Sequence, residues 1–252
     1  MKGDPAKVLC ILRDHPEVNV NWKYPLVRDS SPLILATDSD NQGVIKILLG
    51  HPAIAINERD SCGDTPLMLA CRKELTGGTL QLLLKDSRLL VNEPDGCGCT
   101  PLRWAACSGS LTVIRWMIAL RGDLDLGRQS CEYTDAIGEA RWRGRKEVVD
   151  LLERYKQDAE GTRHVVRAQL RYYDELASEV FAFVVFLSEG LLRARSHLVP
   201  PRLRNIRRFF CIASQLPLEL QMLLCHRVVR SGRNIISTLQ VELALVKLTS
   251  IL

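Results

Sequence analysis

The chain has 252 residues, of which 46% are apolar, 6% aromatic and 25% charged. That apolar share supports a sizeable core and excludes a disordered chain. The net charge of +5 is uneven: residues 1–157 balance 21 basic against 21 acidic side chains, whereas residues 158–252 carry 13 against 8, and 12 of those 13 are Arg.

The chain opens with Met1-Lys2-Gly3-Asp4-Pro5, which leads into a mixed amphipathic helix and not a secretory signal. Lys7 to Leu12 has the spacing of the second helix of a hairpin, and no first helix precedes it. From Ser31 a repeat is readable. Ser31-Pro32-Leu33-Ile34-Leu35-Ala36 returns as Thr65-Pro66-Leu67-Met68-Leu69-Ala70, then as Thr100-Pro101-Leu102-Arg103-Trp104-Ala105, then as Asp135-Ala136-Ile137-Gly138-Glu139-Ala140. The steps are 34, 35 and 35 residues. Pro suits a first helical turn, where its missing N–H is no loss. A small Ala lets two helices approach closely.

A second apolar helix follows each of these strings. The runs are Val44–Leu49, Leu80–Leu84, Val113–Ile118 and Val148–Leu152. Ile56-Asn57, Val91-Asn92 and Leu124-Asp125 come next. Asp60 with Gly63, and Asp95 with Gly98, supply turn chemistry before the following hairpin.

The pattern D-x-x-G-x-T-P-L-x-x-A at Asp60–Ala70 and Asp95–Ala105 resembles the ankyrin repeat. The resemblance implies an all-α ankyrin-repeat solenoid over residues 1–157, with a partial first repeat and repeats starting near 31, 65, 100 and 135. Ankyrin repeats usually have His where this chain has Ile34, Met68, Arg103 and Ile137. The bonds of that His to the next repeat are therefore expected to be absent, with lower stability than in a regular array.

Residues 158–252 leave the repeat and read as a small α-helical C-terminal domain. Gln157–Thr162 is a polar joint and His164–Leu192 one long helix, with a break near Ser188-Glu189-Gly190 as the alternative. Pro200-Pro201 forces a loop. Leu203–Ala213, Pro217–Arg230 and a stretch from Thr238 to Leu248 read as further helices.

In ankyrin proteins partners dock on hairpin tips and on the exposed side of the first helix of each pair. Carried over residue by residue, this implies partner contacts at Asp38, Ser39, Asp64, Arg72, Lys73, Ser108, Glu132, Trp142 and Arg143. Trp142 beside Arg141, Arg143 and Arg145 has the composition of a binding hot spot. The reading is thus a protein-binding scaffold, a monomer, with another protein as partner and with no cofactor or metal.

Two alternatives stand beside it. Leu216, Pro217, Leu220 and Leu224 resemble the opening of an F-box, which implies an adaptor holding a ubiquitin ligase through residues 216–230. Arg193–Arg208 crowds six Arg before Phe209-Phe210 and could meet nucleic acid or an anionic surface, although no groove-entering motif accompanies it.

An enzyme is not expected. The five His are scattered, and none adjoins a nucleophile motif or phosphate loop. Cys62, Cys97, Cys99 and Cys131 sit at successive tips, but neighbouring repeats stand about 10 Å apart. Zinc needs its sulfurs about 2.3 Å away. Nine Cys outside any disulfide framework fit reduced thiols in a cytoplasmic or nuclear setting. Val180–Leu187 is too short to span a bilayer.

Overall fold

Ser31, Thr65, Thr100 and Asp135 each start a helix by the same hydrogen bond. All four stand in extended backbone. Their side-chain oxygens accept from the backbone N–H three residues on, at 3.4, 3.3, 3.3 and 2.8 Å. Losing such a cap costs ~1 kcal/mol. Pro32, Pro66 and Pro101 occupy the first turn after three of them.

A computed structural model describes residues 3–75, 78–127, 135–173, 176–178, 180–181, 221–222 and 224–225. Among these the helices are α1 (Pro5–Asp14), α2 (Pro32–Asp38), α3 (Gln42–Gly50), α4 (Pro66–Arg72), α5 (Gly78–Lys85), α6 (Pro101–Ser108), α7 (Leu111–Leu120), α8 (Ala136–Trp142), α9 (Lys146–Gln157) and α10 (Ala159–Gln169). The described residues contain no strand; one antiparallel bridge joins Tyr24 and Ser30. The architecture is an all-α repeat fold.

The hairpins α2/α3, α4/α5, α6/α7 and α8/α9 stack in order. Their first helices form one row, α2–α4–α6–α8, and their second helices continue α1 in another, α1–α3–α5–α7–α9. Leu33, Ile45, Leu67, Leu80, Leu83, Leu102, Ile114 and Met117 fill the space between the rows. Burying each such side chain contributes about 1.5–3 kcal/mol. Ala70, Ala105 and Ala140 are fully buried, one on each of three first-row helices, and their size permits close packing.

Equivalent positions also end the first-row helices. Asp40, Glu74, Gly109 and Gly144 have φ of 51°, 55°, 83° and 68°. The left-handed turn lets the next amide reach back to the helix, as Leu75 N–H does to Ala70 O at 3.0 Å and Arg145 N–H to Ala140 O at 2.8 Å.

The repeats are linked by asparagines. Asn57 Nδ2 donates to Arg88 O at 2.9 Å, and its Oδ1 accepts from Leu90 N–H at 2.8 Å. Asn21 does the same with Ala53 O and Ala55 N–H, and Asn92 with Asp123 O and Asp125 N–H. Each clamp joins one repeat to backbone about one period further on. At the usual His position Ile34 and Met68 are buried, and the fourth repeat has Gly138 there, Ile137 lying one residue earlier at the position of Leu33, Leu67 and Leu102; Arg103 instead reaches Glu139 of the next repeat at 3.1 Å. The expectation that no inter-repeat bond forms there is corrected for Arg103.

The incomplete first repeat is held by ion pairs and backbone bonds. Arg28 meets Asp60 at 2.6 Å and Asp64 at 2.8 Å, and its carbonyl accepts from Ser61 N–H at 2.8 Å. Leu9, Ile11, Trp22 and Leu26 nevertheless remain exposed.

The polar joint differs from expectation. α9 continues through Gln157, and Asp158 alone separates it from α10. Asp158 is extended, with φ of −143°, and its Oδ1 accepts from Gly161 N–H at 2.9 Å, so it ends one helix and caps the next. α10 stops at Gln169, and Arg171 takes a φ of 55°, so the single helix expected from His164 is interrupted there.

The chain divides into two compact units, Met1–Val166 and Arg167–Leu252. In the second, residues 172–173, 176–178, 180–181, 221–222 and 224–225 are helical.

Candidate functional site

α6 reads Pro-Leu-Arg-Trp-Ala-Ala-Cys-Ser, and its helical period sorts these residues. Leu102, Ala105 and Ala106 are buried, whereas Arg103, Trp104 and Cys107 stay partly exposed on the same side. On α8, Glu139 and Trp142 are three residues apart, and Arg143 follows at the cap. Together these six side chains line a groove of about 400 Å³.

Glu139 sits at its base, 5% exposed. Its two carboxylate oxygens are divided between repeats: Oε2 accepts from Arg103 at 3.1 Å and Oε1 from Arg143 Nε at 2.9 Å. Burial by itself would raise the Glu139 pKa. The hydrogen bond from Arg143 and the charge of Arg103 outweigh it and hold the carboxyl below its ordinary value of 4.5. Burial pushes the Cys107 thiol up, opposed by Arg143 and reinforced by Glu139. A neutral thiol of this kind lines a wall and is not an activated nucleophile.

Both tryptophans are oriented. Trp104 Nε1 donates to Asp95 Oδ2 at 3.0 Å. The other oxygen of Asp95 accepts from Cys97 and Cys99 N–H at 2.8 Å, so one carboxylate sets the hairpin tip and aims the indole. Arg72 lies over the Trp104 ring at 5.7 Å, and Arg143 over Trp142 at 5.0 Å. Trp142 is 63% exposed.

The other residues expected at the partner surface fall in two groups. Lys73 and Asp38 are exposed and pair with each other at 2.6 Å. Ser39 and Ser108 turn their hydroxyls onto helix carbonyls, at Leu35 O (2.9 Å) and Ala105 O (3.0 Å). Arg72 is half-buried and pairs with Asp64 at 2.8 Å. Asp64 is not an open tip residue: its side chain is 5% exposed and lies between Arg28 and Arg72, where it joins repeats. Glu132, Leu216, Pro217 and Leu220 lie outside the described residues, as does the Arg193–Arg208 run. Leu224 is half-buried in a helical part of the second unit.

The sequence reading missed Arg103, Trp104, Cys107 and Glu139 as surface residues. A signal existed. Arg103 stands where the other repeats have Ile34, Met68 and Gly138, and Glu139 where they have Leu35, Leu69 and Trp104. Opposite charges replacing apolar residues in adjacent repeats announce a pair across the interface.

Among the described residues no group of three or more His, Cys, Asp or Glu could hold a metal. Cys10, Cys62, Cys71, Cys97, Cys99, Cys107 and Cys225 are free thiols. No helix of the described residues is long and apolar enough to cross a membrane.

Stacked hairpins of this kind, each contacting its neighbours and exposing one row of first helices, define the class of helical-repeat scaffolds. Residues 33–127 match the family model for ankyrin repeats, in three copies, and the hairpins within that span are ankyrin repeats. Such repeats are in general protein-interaction modules. Comparison with curated proteins gives no match.

Proposed function

We propose that the chain binds a protein partner along the exposed side of the α2–α4–α6–α8 row, with the groove between α6 and α8 as its anchor. The observation that carries this is Trp142, exposed to 63% and braced by Arg143. A soluble surface gains nothing from a large indole held open to water, whereas binding hot spots are built around Trp and Arg. The scaffold beneath is tied by asparagine clamps and ion pairs, so little conformational freedom is lost on docking. The separate helical domain expected over residues 158–252 begins, in this proposal, after Val166, where the first unit ends.

The test starts from a partner captured with the full chain and then purified. Trp142→Ala combined with Lys73→Glu alters two exposed points on this row, and the Lys73–Asp38 pair is exposed enough to contribute little to stability. The double variant is expected to raise the Kd at least tenfold while helix content holds. Lys46→Glu, exposed on α3 of the other row, is expected to leave the Kd alone. The opposite pattern would overturn the placement.

A further inference from the structure

The groove between α6 and α8 is chemically one-sided. Its one acid, Glu139, is already shared by two guanidiniums. Elsewhere on this row Arg28 and Arg72 are bound to Asp60 and Asp64. Arg143 is different. It gives its Nε to Glu139, its side chain is 42% exposed, and among the described residues its terminal nitrogens make no bond. Trp142 lies beneath it and Trp104 shares the groove, with Cys107 adding a small uncharged thiol.

These features select among ligands. A cationic group would meet Arg103 and Arg143 with no unshared acid to receive it, an arrangement that rejects it. A nucleic-acid backbone needs a run of unshared cations to replace its counterions. Here Arg28, Arg72 and Arg103 are matched by Asp60, Asp64 and Glu139, and Lys73 further along the row by Asp38. An anion beside an apolar group fits both halves of the groove. The volume of about 400 Å³ is near the lower end of ~300–1,000 Å³ for small-molecule pockets, enough for one bulky side chain and not for a helix.

We infer that the groove receives a short segment of a partner protein in which a bulky apolar side chain adjoins a carboxylate. The apolar group packs against Trp142 and Trp104, and the carboxylate accepts from the terminal nitrogens of Arg143. This rests on the partner-binding proposal above and specifies the chemistry of its anchor. Arginine suits the task because its planar fork meets a carboxylate with two parallel bonds, and the Nε–Glu139 bond has already fixed its orientation.

The probe is a phage-displayed library of random heptapeptides panned on the full chain, followed by synthetic copies of the enriched peptides. Enrichment of Asp or Glu within two positions of Leu, Ile, Phe or Trp is expected. The same peptides should shift the indole emission and lose at least tenfold in affinity with Trp142→Ala and with Arg143→Gln, both at exposed positions. Enriched peptides that are basic, yet depend on Trp142, would overturn the acidic chemistry and leave the site. Acidic peptides indifferent to Trp142→Ala but weakened by Lys73→Glu would move the anchor along the row and overturn this groove alone. Failure to enrich any peptide overturns the short-segment inference, while the captured-partner test still judges the broader proposal. Binding of a labelled twenty-residue oligo-dT that Trp142→Ala abolishes would overturn it in favour of nucleic acid.

Discussion

Arg103 and Glu139 face each other across two repeats, 36 residues apart in sequence, with Arg103 NH2 donating to Glu139 Oε2 at 3.1 Å. The carboxylate is 7% exposed and also accepts from Arg143, so one buried acid holds the last two first-row helices together. Charge-assisted bonds of this kind contribute about 1.5–3 kcal/mol, and removing the carboxylate takes that contribution from both arginines.

Glu139→Gln is therefore expected to lower stability by about 1–3 kcal/mol in urea unfolding at neutral pH. The pH dependence has a definite sign. The folded carboxyl titrates below the 4.5 of an ordinary Glu, so its contribution is complete above that value and is lost as pH falls through the lowered folded pKa. The gap between the wild type and Glu139→Gln should be full at neutral pH and narrow progressively below 4.5. A gap that widened on acidification would contradict the pairing.

Glu74 ends α4 with a φ of 55°, at the position where α6 and α8 end with Gly109 and Gly144. A side chain in that conformation costs about 1–2 kcal/mol relative to Gly. Glu74→Gly should raise stability by ~1 kcal/mol, a gain of about 2–4 °C in Tm for a unit of this size. Gly144→Ala should lower it by a similar amount, since a Cβ there meets no neighbour within 4 Å and the penalty is backbone alone. Calorimetry of both variants checks the pair; equal Tm values for all three proteins would dismiss the strain.

The Asn57 clamp gives a third expectation. Asn57→Ala strips Arg88 O and Leu90 N–H of their side-chain partner, and should cost about 1–2 kcal/mol. Hydrogen exchange at the Leu90 amide should quicken well beyond the change at amides inside α6. Uniform quickening across the array would show instead that the clamp acts only through global stability.

Much of the repeat fold could be read from the chain because its signals are local. A cap such as Thr65 bonds an amide three residues away, Pro66 fits the turn beside it, and the apolar period of α5 or α7 lies within ten residues. The same locality explains the errors. Asp158 resembled part of a loose joint because its neighbours are polar and include a Gly, yet its own carboxylate caps α10 directly. Asp64 resembled an exposed tip residue because part of its burial comes from Arg28, 36 residues away in the preceding repeat, with Arg72 of α4 closing the other side.

By itself, then, the sequence determined the helical hairpins, their register and their boundaries, since capping, helical period and turn chemistry act over a few residues. Only the tertiary structure decided which polar side chains stay at the surface and which are buried between repeats. Trp104 and Trp142 enter one groove, Arg103 meets Glu139, and Asn57 reaches Leu90 because stacking sets residues a full repeat apart side by side. Contacts across that separation follow from packing of whole helices, which no short window of the chain contains.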